Sequence, residues 1–320
     1  MVKEEKNTNK LGAWIKAMRL RTLPLSFSVI IMGNAFAYIP GVQSTEPWVV
    51  SHEFKWSIFV ITLLTTLFLQ ILSNLANDYG DAVKGTDNEN RIGPERAIQS
   101  GIITATEMKT GIIISAVLSF ISGLFLLYLA FEDLFTLQFT LFLALGLLSI
   151  AAAIKYTVGR SAYGYKALGD VFVFIFFGLV GVIGSYYLQV GASMNWIILY
   201  PAIVMGCFCV MVLNLNNMRD RISDAQSNKR TLAVLFGFKG AKYYHYALMF
   251  IAWGITGVLF ALPHLFPWTL MFLPILAIHI AHLIKVVRVK EPKDFDPELK
   301  KIALSTFLFS IVTWIFIVVI

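Results

Sequence analysis

SIFVITLLTTLFLQILSNLA, at residues 57–76, is a run of twenty positions without a charged side chain. A helix of about 20 apolar residues crosses the roughly 30 Å hydrocarbon layer of a bilayer. Similar runs recur along all 320 residues, of which 58% are hydrophobic and only 14% charged. With a mean hydropathy of +0.73, the chain has too few polar side chains to cover a water-facing surface. The sequence therefore predicts an all-α, polytopic membrane protein and excludes a soluble globular one.

The apolar runs predict a bundle of nine transmembrane helices. They lie at about 23–39, 57–76, 111–130, 137–154, 168–188, 196–215, 246–262, 267–284 and 302–320. No low-complexity tract, Pro-rich linker or soluble domain separates them. We therefore expect a single transmembrane domain at residues 23–320, preceded by a cytoplasmic N-terminal tail at residues 1–22.

Lysine and arginine are confined almost entirely to alternate connections between these runs. The tail at residues 1–22, which includes Arg19, shares this pattern, and Lys55 alone falls on the opposite side. Short cytoplasmic loops are enriched in Lys and Arg, so we expect the N-terminus inside and the C-terminus outside. The net charge of +7 is therefore a signal of topology, and no basic patch interleaved with aromatic residues indicates a nucleic-acid partner.

Two connections on the positively charged side, residues 77–110 and 216–245, are much longer than the others and are expected to carry function. The first follows the motif NLANDYGD, which begins at Asn74. On a helix, Asn74, Asp78 and Asp81 lie within about 60° of one another. An amide and two carboxylates therefore share one helical face.

A second motif of the same order stands at the end of the sixth run. NLNNMRD begins at Asn214 and contains Asn216, Asn217 and Asp220, and Asp224 follows one helical turn later. In both motifs, asparagines leave an apolar run, two aspartates follow about one turn apart, and a lysine comes further on. The two motifs therefore resemble each other in the order of their residues.

Four carboxylates at one edge of an apolar bundle require positive charge, because they repel one another and lose hydration. Hard carboxylate and amide oxygens suit Mg²⁺, which is usually held together with substrate phosphates. Arg96, Lys229 and Arg230 supply donors for phosphate oxygens. We interpret the pattern as a magnesium diphosphate site whose ligand has a long apolar tail. The alternative is that these acids are solvated surface residues or helix caps. The occurrence of two such motifs on one membrane face disfavours this alternative.

These residues resemble the two aspartate-rich motifs of the UbiA superfamily of membrane aromatic prenyltransferases, and more narrowly its 1,4-dihydroxy-2-naphthoate branch in menaquinone biosynthesis. The resemblance covers nearly the whole chain. Its main stretches are WIKAMRLRTLP from Trp14, NLANDYGDAVKGTDNENRIGPERAIQSG from Asn74, KYTVGRSAYGYKALGDVFVFIFFG from Lys155 and LNLNNMRDRISDAQSNKRTLAV from Leu213. Asn228 departs from the pattern, since many relatives have glycine there.

The resemblance implies a nine-helix bundle whose central cavity binds a polyprenyl diphosphate through Mg²⁺. Diphosphate leaves the allylic carbon, the cation attacks 1,4-dihydroxy-2-naphthoate, and loss of the carboxylate gives demethylmenaquinol. The residues matching metal and diphosphate positions are Asn74, Asp78, Asp81, Asp220 and Asp224, with Asn216 or Asn217 as a further ligand, and Arg96 and Lys229 as diphosphate contacts. The pathway and the charge asymmetry together imply a multi-pass protein of a bacterial cytoplasmic (inner) membrane.

Three further residues are candidates for the acceptor side. Lys155 and Tyr156 begin the loop where the family places residues near the aromatic acceptor. Asp170 either orients or deprotonates that acceptor or is the N-cap of the fifth span. Arg219, although within the second motif, is interpreted as cytoplasmic surface.

Alternative functions remain open at this point. An enzyme that prenylates a different acceptor, 4-hydroxybenzoate or a porphyrin, would differ only in its acceptor pocket. A cation transporter would also use clustered carboxylates. His279 and His282 lie three apart on the eighth run, but no partner histidine of matching depth is evident on another run. Prenyl chain length and oligomeric state are not determined by the sequence.

Overall fold

The computed structural model describes residues 10–38, 53–87, 93, 96–131, 133–260, 265 and 267–319. Within these residues the chain is helical apart from short connections and one isolated bridge between Lys166 and Arg230. The first nine residues of the predicted tail, and the predicted span ends at 39, 261–262 and 320, lie outside the described residues.

The α-helices follow the order of the predicted runs. They are α1 (Lys10–Met18), α2 (Leu23–Ala37), α3 (Trp56–Val83), α4 (Ala105–Ala130), α5 (Leu137–Lys155), α6 (Gly169–Val173), α7 (Gly184–Val190), α8 (Leu199–Gln226), α9 (Leu232–Phe260), α10 (Leu273–Arg288) and α11 (Asp296–Val319). A π-helix at Phe174–Ile183 joins α6 to α7, and the three segments together form the fifth predicted span.

Eight helical segments of the described chain are long and apolar enough to cross a membrane. They are Lys10–Ala37, Trp56–Val83, Ala105–Ala130, Leu137–Lys155, Gly169–Val190, Trp196–Gln226, Trp268–Arg288 and Pro292–Val319. The remaining predicted span corresponds to α9, which is interrupted at Gly237, where φ is +69°. The predicted all-α membrane bundle is thereby confirmed, whereas the sidedness of the two termini stays a prediction.

The long connections predicted at residues 77–110 and 216–245 are shorter than expected. Helix α3 runs to Val83 and α8 to Gln226, so both aspartate motifs are helical and α9 begins only six positions after α8 ends. The second half of the predicted tail is helical, and α1 buries Ala13 and Ala17 and packs against α3. The apolar runs underestimate the lengths of these helices, because polar residues continue each helix beyond the hydrocarbon layer.

Helix α8 occupies the core of the bundle and packs against α9, α11 and the π-helix. The last contact requires glycine on both sides. A Cβ atom on Gly178 would meet the Cα of Gly206 at 2.7 Å, so the two backbones touch. This close packing places the middle of the fifth span against α8.

One small space lies inside the bundle among its apolar side chains. Between α2, α8, α9 and α11 a space of about 20 Å³ remains, lined by residues that include Met32, Phe309 and Thr313.

Candidate active site at the ends of α3 and α8

The first motif places its carboxylates in the last two turns of α3. Asp78 is 1% exposed and Asp81 7% exposed. Asp78 accepts a hydrogen bond from Arg19, and Arg96 Nη1 lies 3.3 Å from Asp78 Oδ1. Asn74 is also buried, but its Nδ2 donates to the carbonyl of Met18 at 2.9 Å. Two arginines therefore converge on Asp78.

Arg19 is a site residue that the sequence pattern does not reveal. The charge pattern places it only in the basic tail, yet its side chain is 14% exposed and bound to Asp78. Its backbone is left-handed, with φ and ψ both 48°, at the junction of α1 and α2. A non-glycine residue held there carries strain of about 1–3 kcal/mol, which is typical of functional positions. The positive φ turns α1 back onto α3 and brings the guanidinium to the motif.

Arg96 approaches from the connection between α3 and α4. Burial and, after it, the charge of Arg19 lower the pKa of Arg96, and Asp78, Asp87 and Asp81 oppose them, so that the pKa is about 10. The guanidinium therefore remains charged at neutral pH. Its Nε lies 3.8 Å from Asp87 Oδ1, so Arg96 spans two carboxylates.

The second motif lies on α8 and is organised by Arg219. Arg219 Nε and Nη2 donate to the two oxygens of Asp220 at 2.8 and 2.7 Å, Nη2 also donates to Asn216, and Nη1 bonds Asp296 of α11. The interpretation of Arg219 as cytoplasmic surface is wrong, because the residue is only 4% exposed. A sequence run does not reveal that Asp296 of another helix covers this position.

Lys229 joins the two motifs. Its Nζ lies 3.5 Å from Asp224 Oδ1 and 3.9 Å from Asp81 Oδ2. Burial lowers the pKa of Lys229, but Asp81 and Asp224 outweigh it and raise the pKa above its ordinary value. Asn228, directly before it, has φ +56°, which explains why glycine suits this position and why asparagine is tolerated. The turn thereby directs Lys229 between α3 and α8.

The connection between α5 and α6 covers the first motif. Tyr165 Oη donates to Asp81 Oδ1 at 2.7 Å and lies 2.6 Å from Thr86 Oγ1. Burial, followed by the charge of Asp81, raises the pKa of Tyr165. Gly80 permits this cover, because a Cβ atom there would meet Thr157 Oγ1 at 2.5 Å. Tyr165 is a second site residue that the sequence prediction missed.

The ion pairs at the ends of α3 and α8 form one cluster, which consists of Arg19, Asp78, Asp81, Arg96, Asp224 and Lys229. Not every predicted residue reaches this cluster. Lys155 and Arg230 are exposed, and the contact of Arg230 to this region is its backbone N–H, which donates to the carbonyl of Tyr165. Asn217 is 4% exposed on α8. Tyr156, by contrast, packs beneath the connection, and a Cβ atom on Gly169 would meet its Oη at 3.0 Å.

Asp170 is not the N-cap of the fifth span. Helix α6 begins at Gly169 and its N-cap is Leu168, without a side-chain cap. Asp170 is instead 3% exposed in the first turn of α6. The capping alternative is therefore wrong.

The histidines of α10 have partners that the sequence did not indicate. His245 Nε2 of α9 lies 2.8 Å from His282 Nε2, and His282 Nδ1 lies 2.5 Å from Glu298 of α11. His279 contacts Ser305 Oγ at 2.8 Å. The expectation that no partner histidine exists on another span is wrong, because helix rotation and tilt decide which residues face each other.

The donor set of the cluster suits a hard cation that also binds a ligand. Carboxylate oxygens from α3 and α8 face one another, and the groups between them are oxygens and cationic side chains. In the described parts of the chain, no three His, Cys, Asp or Glu side chains are placed to hold one metal ion. Mg²⁺ is commonly bound by one or two carboxylates with substrate phosphates, so this set fits it better than a zinc-type cage.

Comparison with known proteins agrees with this geometry. A model of the UbiA prenyltransferase family matches residues 47–316, which include both motifs. The chain belongs to the UbiA prenyltransferase family. The resemblance inferred from the aspartate motifs is confirmed.

Relatives within the UbiA family are similar along nearly their whole length. A protein named 1,4-dihydroxy-2-naphthoate octaprenyltransferase from Haemophilus influenzae is 42% identical over 94% of this chain and 94% of its own. A protein of the same name from Escherichia coli is 42% identical over 93% of this chain and 92% of its own.

Solved UbiA structures share the fold. A UbiA homologue from Archaeoglobus fulgidus, bound to GPP and Mg²⁺, superposes with a TM-score of 0.66 at 16% identity over 95% of this chain and 99% of that one. The apo structure of a UbiA homologue from Aeropyrum pernix superposes with a TM-score of 0.64 at 14% identity. The match covers 92% of this chain and 99% of that one. These likenesses establish the helix arrangement.

Proposed function

We propose that this protein transfers a polyprenyl group from a polyprenyl diphosphate to 1,4-dihydroxy-2-naphthoate, with loss of CO₂, giving demethylmenaquinol in a bacterial cytoplasmic membrane. One observation carries the proposal: Lys229 contacts Asp81 and Asp224, so the two motifs face a common space. The names of the 42% identical relatives support the choice of acceptor.

The basic side chains of the cluster bind the diphosphate in this proposal. Arg96, Arg19 and Lys229 are partly buried and charged, so each can exchange its carboxylate for a phosphate oxygen when the ligand enters. Their interactions strengthen as negative charge accumulates on the departing diphosphate. These side chains therefore stabilise the ionising transition state more than the bound substrate, and so lower the barrier to ionisation.

Mg²⁺ belongs to the same proposal. Asp78, Asp81 and Asp224 would hold it with the diphosphate, and Asp220, Asn74, Asn216 and Asn217 are the other predicted ligands. When bound, the metal supplies positive charge that stabilises the leaving group. The residues of the chain set its position, exclude water from the allylic carbon through the apolar bundle, and keep the diphosphate at the ends of α3 and α8.

The decisive experiment uses purified protein in lipid nanodiscs with farnesyl diphosphate and one acceptor at a time. We expect product with 1,4-dihydroxy-2-naphthoate and Mg²⁺, and none when EDTA replaces Mg²⁺. Equal turnover of 4-hydroxybenzoate would contradict the acceptor assignment. Turnover in EDTA would contradict the metal assignment.

A second experiment tests the carboxylates individually. Asp78→Ala or Asp220→Ala should lower turnover by about 1,000-fold or more while leaving membrane insertion intact, because leaving-group stabilisation acts chiefly in the transition state. Asp294→Ala, at a short helical turn before α11, is the matched control. Full activity in either motif variant would remove its role in binding the diphosphate.

A further inference from the structure

Three polar side chains of α3, Gln70, Asn74 and Asp78, follow one another at intervals of four residues. On a helix this spacing places them on one face, one above the other. Gln70 lies two turns further into the span than Asp78, and it is the only amide or charged side chain between residues 57 and 73. A polar side chain inside a membrane span requires hydrogen-bond partners, because lipid chains supply none. The partners of Gln70 therefore indicate its role.

Both ends of the Gln70 amide are hydrogen-bonded. Its Nε2 donates to Thr22 Oγ1 at 3.1 Å and to Asn74 Oδ1 at 3.4 Å. Its Oε1 accepts a hydrogen bond from Ser26 Oγ at 2.5 Å. Thr22 directly precedes α2 and Ser26 lies in its first turn. Gln70 therefore ties α3 to the junction of α1 and α2.

This junction contains the left-handed residue Arg19, and hydrogen bonds hold the peptide groups on both sides of it. The carbonyl of Met18 accepts from Asn74 Nδ2 at 2.9 Å. The carbonyl of Arg19 accepts from Thr22 Oγ1 at 2.9 Å and from the Thr22 backbone N–H at 2.8 Å. Because φ and ψ describe rotations of these two planar groups about the Arg19 Cα, the bonds hold its left-handed conformation.

The backbone of Arg19 decides where its guanidinium lies. A change to the right-handed or extended region would alter the direction of α1 and move the guanidinium away from Asp78. In the proposed function Arg19 exchanges Asp78 for a phosphate oxygen, and so gives up the ion pair that holds it in this structure. The hydrogen bonds of Gln70 and Thr22 join neutral groups, so an entering diphosphate does not replace them. They can therefore keep the guanidinium in place while the ligand binds.

We propose that Gln70 is a positioning residue for the diphosphate: through Thr22 it holds the left-handed backbone that presents the Arg19 guanidinium to the ligand. This inference rests on the proposed function and adds a residue outside both aspartate motifs. Gln70 lies two helical turns from Asp78, so it acts through Arg19 and not on the ligand itself.

The test measures binding as well as turnover. Gln70→Leu removes the donor and the acceptor and keeps a side chain of similar size. We expect the Kd for inorganic pyrophosphate with Mg²⁺, measured by calorimetry in nanodiscs, to rise about tenfold, since a hydrogen bond that places a binding group is lost. The KM for farnesyl diphosphate should rise equally, while the KM for 1,4-dihydroxy-2-naphthoate should stay within about threefold of wild type.

Thr66→Val is the matched control. Thr66 lies one turn before Gln70 on the same face of α3, and its hydroxyl donates to the carbonyl of Thr62 in the same helix at 2.8 Å. We expect this variant to bind pyrophosphate with Mg²⁺ within about twofold of wild type. Asn74 is left unchanged, because it is also a predicted ligand.

A double-mutant cycle with Arg19→Gln separates positioning from a general structural role. If Gln70 acts through Arg19, Gln70→Leu should raise the Kd for pyrophosphate less than about twofold when Arg19 is already Gln. Should Gln70→Leu fail to fold, Thr22→Val breaks the same connection and enters the same cycle. Thr22→Ser, which keeps the hydroxyl, should restore binding to within about threefold of wild type.

The outcomes distinguish the two proposals. If wild type does not prenylate 1,4-dihydroxy-2-naphthoate, the proposed function is wrong. If wild type is active and Gln70→Leu matches Thr66→Val, or its full effect persists in the Arg19→Gln background, the positioning role of Gln70 alone is wrong.

Discussion

Asp81 of α3 and Asp224 of α8 share one ammonium group, since Lys229 Nζ lies within 3.9 Å of an oxygen of each. These carboxylates are 143 positions apart in the sequence (224 minus 81). Because Lys229 lies between them, a diphosphate bound by Lys229 would lie beside carboxylates from both halves of the chain. The predictions below depend on this arrangement and its supports.

Lys229→Met should destabilise the protein in the absence of ligand. Two buried carboxylates would then lose their common cation, and breaking a buried ion pair costs about 3–5 kcal/mol. We expect a midpoint of thermal unfolding several degrees below wild type, measured by intrinsic fluorescence in detergent. Lys300→Met, at an exposed position of α11, is the control. An unfolding midpoint equal to that of the control would contradict the bridging role.

Asp81→Asn and Asp224→Asn should not act independently. Each should lower kcat/KM by about 100-fold or more, and the double variant should lose less than the product of the two effects. Residues that act on one ligand show coupling of about 0.5–3 kcal/mol. The measurement is steady-state turnover in a double-mutant cycle. Additive effects would place the two carboxylates in separate sites.

Asn228→Gly should retain activity, whereas Asn228→Val should lose it. The backbone at this position has φ +56°, which glycine adopts freely and a β-branched residue does not. We expect the valine variant to misplace Lys229 and raise the KM for farnesyl diphosphate about tenfold, with the glycine variant close to wild type. Similar KM values for the two variants would show that the turn does not position Lys229.

Arg219→Gln should be more damaging than Asp296→Asn. Arg219 binds both oxygens of Asp220 within the core, so its removal should cost about 3–5 kcal/mol. The side chain of Asp296 is 44% exposed, and exposed ion pairs contribute about 1 kcal/mol or less. The midpoints of thermal unfolding of the two variants show which substitution destabilises the protein more. A lower unfolding midpoint for Asp296→Asn than for Arg219→Gln would contradict this prediction.

A tag after Ile320 should be accessible from outside the cytoplasm. Alternating Lys and Arg predict an inside N-terminus and nine crossings, of which eight satisfy length and hydropathy while α9 is interrupted at Gly237. Labelling of a C-terminal cysteine in intact cells with an impermeant maleimide gives the sidedness. Labelling only after permeabilisation would exclude nine crossings.

Much of the candidate site was predictable, and the reason is local. Asn74, Asp78 and Asp81 fall on one face because a helix has a fixed period, and the same holds for Asp220 and Asp224. What was not predictable were the partners that other segments bring: Arg19 on Asp78, and Asp296 on Arg219. The left-handed backbone at Arg19 leaves no mark in composition or periodicity.

The sequence by itself determined that this protein is a helical membrane bundle with two aspartate motifs, because hydrophobic length and helical period act over short stretches. The tertiary structure alone decided that Lys229 serves both motifs and that His245 meets His282. Such pairings depend on the rotation and tilt of whole helices against one another. These are set by the packing of many side chains together, so they cannot be derived from one helix at a time.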